Sequence, residues 1–428
     1  MNKFKELGLS EGMLNILGSL NFNEPTDIQI ETIPLVLQGK DIIGSSATGS
    51  GKTLAFGAGL IDMTKRGEGI QTLILTPTRE LAEQVASTLR IFSRNTGLRI
   101  RQIYGGVSMS PQINDLKNAE IVVGTPGRLL DHLERRTLNL SKIKYLVLDE
   151  ADRMLDMGFI RDVERIIRSC SNNRQTLLFS ATMPKEISYM AQKYMKNPIH
   201  VSSGENVDPS KLYQIYYDVS KDMKFSLIAF LLKREKNGIV MVFCNTRKIT
   251  DKLAKNLGTN GLHALAIHGG LSQNKRSSVL QAFHSRETLI LVCTDVAARG
   301  LDIKDVSHVY NYDIPKTSSD YIHRIGRTAR AGKNGIAVSF VSSGDHGEFN
   351  QILKQMKLNI EKQNLPKFDI LKVSSLENDK PFRNKENNRR SGRNSRGNRR
   401  QGDFKGRGRG RKENRGRFRG SSNYRKHR

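Results

Sequence analysis

The chain has 428 residues, 37% of them hydrophobic, which is enough for two domains that each bury a core. No run of about 18 apolar residues is present to span a bilayer, and no apolar leader opens the chain. Its three cysteines, Cys170, Cys244 and Cys293, are too far apart for a CxxC zinc site or a disulfide framework and fit a reducing, cytoplasmic setting. The net charge of +28 calls for a polyanionic partner, either nucleic acid or an anionic membrane surface.

In chain order, the apolar Ile42-Ile43 leads into Ser46-Ala47-Thr48-Gly49-Ser50-Gly51-Lys52-Thr53 and then a helix-compatible stretch over 54–60. A Gly-rich turn feeding a helix aims backbone N–H groups and the positive end of the dipole at phosphate oxygens. Lys52 then reaches the β- and γ-phosphates and the Thr53 hydroxyl a Mg²⁺ ion. The strict pattern opens with Gly where this chain has Ser46, so the loop by itself also fits other P-loop classes. Residues 72–76, 120–124, 145–149 and 176–180 read as buried strands, with helices over 78–92 and 127–135 between them. The strand from Tyr145 ends directly in Asp149-Glu150-Ala151-Asp152. Carboxylates this close repel one another unless a cation sits among them; Mg²⁺ on Asp149 is the natural neutraliser, and Glu150 is then placed to orient an attacking water.

A Ser- and Gly-containing stretch at 203–218 reads as a linker. A second strand series follows at 239–244, 264–268, 289–294, 306–312 and 336–341, and alternation with helices implies right-handed βαβ units and parallel sheets. The expected α/β organisation is therefore a domain over 1–202, the linker, a domain over 219–368 and a tail over 369–428. Residues 380–428 hold 20 Lys/Arg against 3 Asp/Glu. With Arg-Gly repeats and isolated Phe382, Phe404, Phe418 and Tyr424, the tail reads as disordered and suited to sequence-tolerant RNA binding.

Asp149-Glu150-Ala151-Asp152 spells D-E-A-D, and from about Phe4 to Val341 the chain resembles the DEAD-box RNA helicases, compact bacterial members in particular. The resemblance implies two tandem RecA-like domains that bind ATP, Mg²⁺ and single-stranded RNA between them and unwind RNA locally. By the same resemblance Phe22 stacks on adenine, Gln29 bonds its polar edge and Phe4 supports them, although Asn21 stands where the family usually has Gly. The resemblance likewise implies that Ser180-Ala181-Thr182, with His323, couples hydrolysis to strand separation. In His323-Arg324-Ile325-Gly326-Arg327-Thr328-Ala329-Arg330, the arginine fingers are Arg327 and Arg330, whose planar forks suit phosphoryl oxygens. Asp302 matches the family residue that contacts ribose.

The RNA-binding residues implied are Pro77, Thr78, Arg79, Gly105, Gly106, Thr125, Pro126, Gly127 and Arg128 in the first domain. In the second they are Asn245, Thr246, Arg276, Thr294, Arg299 and Gly300. Hydroxyls, arginines, close-approach glycines and helix N-termini suit phosphates and sugars, which hold a strand without reading its sequence. The expected partner is RNA, with ribosomal precursors and RNA-degradation proteins compatible as further partners. The chain is expected to be monomeric, since no heptad repeat calls for a dimer.

Overall fold

The computed structural model describes residues 3–45, 50–202, 212–235, 238–298, 301, 303, 305–329 and 334–371, all within the compact unit Met1–Leu376. Ser46, Ala47, Thr48, Gly49, Arg299, Gly300, Asp302, Arg330 and the tail from 372 onward lie outside the described residues. Among the described residues no helix is long and apolar enough to cross a membrane.

Two seven-stranded sheets carry the fold. The first contains β1 (Ile42–Ser45), β2 (Thr72–Leu75), β3 (Ile100–Ile103), β4 (Ile121–Gly124), β5 (Tyr145–Leu148), β6 (Gln175–Ser180) and β7 (Ile199–Ser202). The second contains β8 (Leu212–Asp218), β9 (Ile239–Phe243), β10 (Ala264–Ile267), β11 (Ile290–Cys293), β12 (Val306–Asn311), β13 (Gly335–Val341) and β14 (Glu361–Gln363). The strand orders are β3-β4-β2-β5-β6-β1-β7 and β10-β11-β9-β12-β13-β8-β14, with every pair parallel. Numbered from its own first strand, each sheet reads 3-4-2-5-6-1-7. The two halves are thus the same fold twice, the tandem RecA-like arrangement that the sequence resemblance implies.

Apolar runs without polar alternation are what strands covered on both faces require. In β5, Val147 points into a cluster with Ile74, Ile121, Val123 and Leu177, while Leu146 and Leu148 point to the other face with Leu73, Leu75 and Val122. Three further clusters do the same for the second sheet.

Two expected boundaries are corrected. Residues 212–218 are no linker: Leu212–Asp218 is β8, paired along its whole length with β13 from Leu212↔Gly335 to Asp218↔Val341. Its alternating Tyr and Ile side chains supply part of the third cluster's edge. The tail also begins later than 369, because Phe368 and Leu371 pack against the second sheet's core and the Leu371 N–H donates to Ser226 Oγ over 2.9 Å.

Candidate functional site

Ligands of open α/β sheets bind beyond the carboxyl ends of the strands, and the charged residues collect there. After β1, Gly51 adopts φ 93° and Lys52 opens the helix Lys52–Met63, with Ser50 and Lys52 both buried. Gln29 braces this turn: its Nε2 donates to Gly51 O (3.2 Å), its Oε1 accepts from the Thr26 N–H (3.0 Å), and Thr26 Oγ1 donates to Ser50 O (2.9 Å). A Cβ on Gly51 would lie 2.3 Å from Gln29 Nε2, so glycine is needed for space as well as for φ. Phe22 stays 40% exposed in a T-shaped contact with Phe92, and Phe4 is fully buried.

After β5, Asp149, Glu150 and Asp152 are all buried. Burial pushes the Asp149 carboxyl up to about 6, with Lys52 opposing and Glu150 adding to the shift. Asp149 Oδ1 has no hydrogen-bond partner among the described residues. A buried carboxylate left this way suits a bound cation. Glu150 holds a left-handed backbone (φ 54°, ψ 53°), a strained conformation of the kind that collects at functional sites. Asp152 joins the Ser180-Ala181-Thr182 turn: its Oδ2 accepts from the Thr182 N–H (2.9 Å) and Oγ1 (3.0 Å), and its own N–H donates to Ser180 Oγ (3.2 Å).

Among the described residues, two polar contacts cross from one sheet's half to the other. His323 Nε2 lies 3.7 Å from Asp152 Oδ2, and Arg276 Nη2 lies 2.9 Å from Glu80 Oε1, both side chains nearly buried. Arg327 is 2% exposed and donates to Leu301 O (2.8 Å) and His323 O (3.3 Å). The helix Ser318–Ile325 ends before it, so Arg327 sits on the turn that follows that helix.

The DEAD/DEAH box helicase family matches residues 26–190 and the helicase conserved C-terminal domain matches residues 223–332. The DEAD-box ATP-dependent RNA helicase CshA of Bacillus cereus is 45% identical over 372 residues, 86% of this chain and 71% of its own. The chain belongs to the DEAD-box family of ATP-dependent RNA helicases. Among solved structures, a DEAD box protein from Methanococcus jannaschii is 46% identical, covers 84% of this chain and 99% of its own, and has a TM-score of 0.52. The S. cerevisiae Dbp5 chain bound to RNA and ADP BeF3 is 31% identical, covers 85% of this chain and 96% of its own, and scores 0.77.

In this helicase the expected RNA residues occupy matching strand ends of the two sheets. Thr78 follows β2 and Thr246 follows the matching β9; each caps its helix, accepting from Leu81 N (3.3 Å) and Ile249 N (3.2 Å) respectively. Thr125 follows β4 and Thr294 the matching β11, with Pro126 buried in the first turn and Gly127 exposed. Arg79 lies across Gly105-Gly106 after β3: a Cβ on Gly106 would sit 2.0 Å from Arg79 Nη1. Arg247 stands likewise over Gly269-Gly270 after β10, a counterpart that the sequence reading missed and that the repeated strand order makes visible.

Two expected RNA residues are otherwise engaged. Arg128 donates from both Nη1 and Nη2 to Val107 O (3.1 Å each) and from Nη1 to Gln112 Oε1 (3.0 Å), bracing the loop behind the glycines. Arg276 is paired with Glu80, whose burial between the halves no local pattern indicates. Arg324 was also missed as a hub. Fully buried, it grips Asp295 with two bonds (2.6 and 2.7 Å), Asn245 Oδ1 (2.8 Å) and Asp313 O (2.6 Å), tying three strand ends together.

Proposed function

We propose that this helicase binds ATP on the first domain, completes the site with arginine from the second, and grips RNA across both sets of strand ends, so that the two ligands favour the same apposed arrangement. The observation that carries this is the His323–Asp152 pair. It joins the carboxylate turn after β5 and the Ser180-Ala181-Thr182 turn after β6 to the segment holding Arg327, and so supports a site assembled from both domains.

In this proposal Lys52 holds the β- and γ-phosphates, Thr53 and Asp149 hold Mg²⁺, Glu150 orients the attacking water, and Arg327 with Arg330 stabilises charge on the phosphoryl group. Mg²⁺, when bound, neutralises phosphate charge. Phe22 and Gln29 select adenine, and Asp302 takes the ribose. RNA is held through phosphates and sugars, bent on closure and released from its complement, with the basic tail keeping the core near structured RNA. The setting is cytoplasmic and the working form a monomer.

ATP hydrolysis with and without single-stranded RNA, with single-stranded DNA as control, tests this. RNA is expected to stimulate turnover and DNA not, with Glu150→Gln lowering it about 100-fold or more. Equal stimulation by DNA, or an active Glu150→Gln variant, would overturn the assignment.

A further inference from the structure

The turn after β5 also buries a cation that none of these steps uses. Arg153 is 0% exposed, yet its Nε, Nη1 and Nη2 have no hydrogen-bond partner among the described residues. The carboxylate within ion-pair reach is that of Glu150, Oε2 lying 3.5 Å from Arg153 Nη1. Asp152, next in sequence, is occupied elsewhere: its Oδ1 accepts from the Arg153 backbone N–H (3.1 Å) and its Oδ2 from Thr182.

A guanidinium denied both water and hydrogen bonds is costly, and a site that needed bulk alone is served as well or better by an apolar side chain. The geometry indicates what the charge is for. Side chains on a helix lean toward its N-terminus and meet those three or four positions earlier. Arg153, in the helix Ala151–Asp156 capped by Glu150, therefore leans back over the Glu150 carboxylate, whose backbone is itself held in the left-handed conformation. At 3.5 Å the attraction is electrostatic; this separation fixes the carboxylate without consuming a lone pair in a short hydrogen bond.

We infer that Arg153 is a positioning residue for hydrolysis, anchoring Glu150 from behind so that the carboxylate keeps its lone pairs directed at the attacking water. This rests on Glu150 acting as the water-orienting group. Misplacing such a group by about 1 Å costs as much as 100-fold in rate.

The test uses the full chain and compares Arg153→Met, Arg153→Lys and Glu150→Gln. Arg153→Met is expected to fold with a lowered Tm, because buried Glu150 loses its counter-charge, yet below that Tm to bind a non-hydrolysable ATP analogue and single-stranded RNA as the unmodified enzyme does, and to lose 10-fold to 100-fold in kcat at constant KM. Arg153→Lys, which keeps the charge on a different head, is expected to recover part of that loss. A kcat for Arg153→Met within twofold of the unmodified enzyme, beside an inactive Glu150→Gln, would overturn the inference alone. An Arg153→Met whose kcat and nucleotide affinity fall together at a temperature where it is folded would assign Arg153 to the fold and overturn it too. An active Glu150→Gln would instead remove the assignment on which it stands.

Discussion

Single residues were legible where their task is local. Asn21, which departs from the family's usual Gly, adopts φ 60°, and Asn is among the few residues that enter that region readily, so the substitution keeps the turn. Gly51 and Gly106 were legible for the same reason, since turns and close approach need positive φ. Arg153, Arg324 and Glu80 were not, because their partners are brought near by the fold and no spacing announces them. Gly106 gives the sharpest check. Its φ of 79° costs a Cβ-bearing residue about 1 kcal/mol, and the new methyl also occupies the place of Arg79 Nη1. Gly106→Ala should lower Tm by about 2–4 °C and weaken single-stranded RNA binding several-fold while leaving the KM for ATP unchanged. Full RNA affinity in an anisotropy titration would disprove the Arg79–Gly106 seat.

At the level of elements, strands buried on both faces were found to within a residue or two because they are continuous apolar runs. The strands overlooked were those with a wet face or edge: β3 reads Ile-Arg-Gln-Ile and β14 Glu-Lys-Gln, and β8 alternates beside the short, exposed β14. The contact between the helices Met109–Leu116 and Pro126–Glu134 was equally hidden. Buried His132 bridges Thr137 Oγ1 (2.8 Å) and Gln112 Oε1 (3.2 Å), and burial, reinforced by Arg128, holds its imidazole below the ordinary 6.5. The neutral ring is therefore the folded form. As pH falls below about 6.5 the unfolded chain takes up a proton that the folded chain resists, so this stabilisation is complete above that value and is lost progressively below it. Thermal melts should show Tm falling between pH 7.5 and 5.5, with a shallower fall in His132→Gln, whose amide can still bond Gln112. An identical slope in both proteins would show that His132 does not contribute.

For the whole molecule, the repeated 3-4-2-5-6-1-7 order sets the turns proposed for RNA at matching strand ends of both sheets, while the turn after β1 proposed for the phosphates has no Gly-rich counterpart after β8. There Lys224, which like Lys52 opens the following helix, is paired internally with Asp345 (3.0 Å) and the Tyr312 carbonyl (3.1 Å). In the proposed function one half binds nucleotide and the other senses it, so what joins them decides the output. The Glu80–Arg276 pair bears on this directly, because Arg276, expected from the sequence to bind RNA, reaches across to Glu80 of the other half. When the halves separate both charges are hydrated; when they meet both are buried, so removing one charge leaves its partner unpaired in the apposed arrangement alone, a penalty of about 3 kcal/mol or more. Glu80→Gln and Arg276→Gln should therefore leave RNA affinity without nucleotide nearly unchanged and lower it at least tenfold with a non-hydrolysable ATP analogue, about 1.4 kcal/mol of coupling or more. The exchange of Glu80→Arg with Arg276→Glu should restore most of the loss, as a double-mutant cycle isolates the pair. If Arg276→Gln weakens RNA binding equally with and without nucleotide, and the exchange restores nothing, Arg276 contacts RNA itself and another contact holds the halves together.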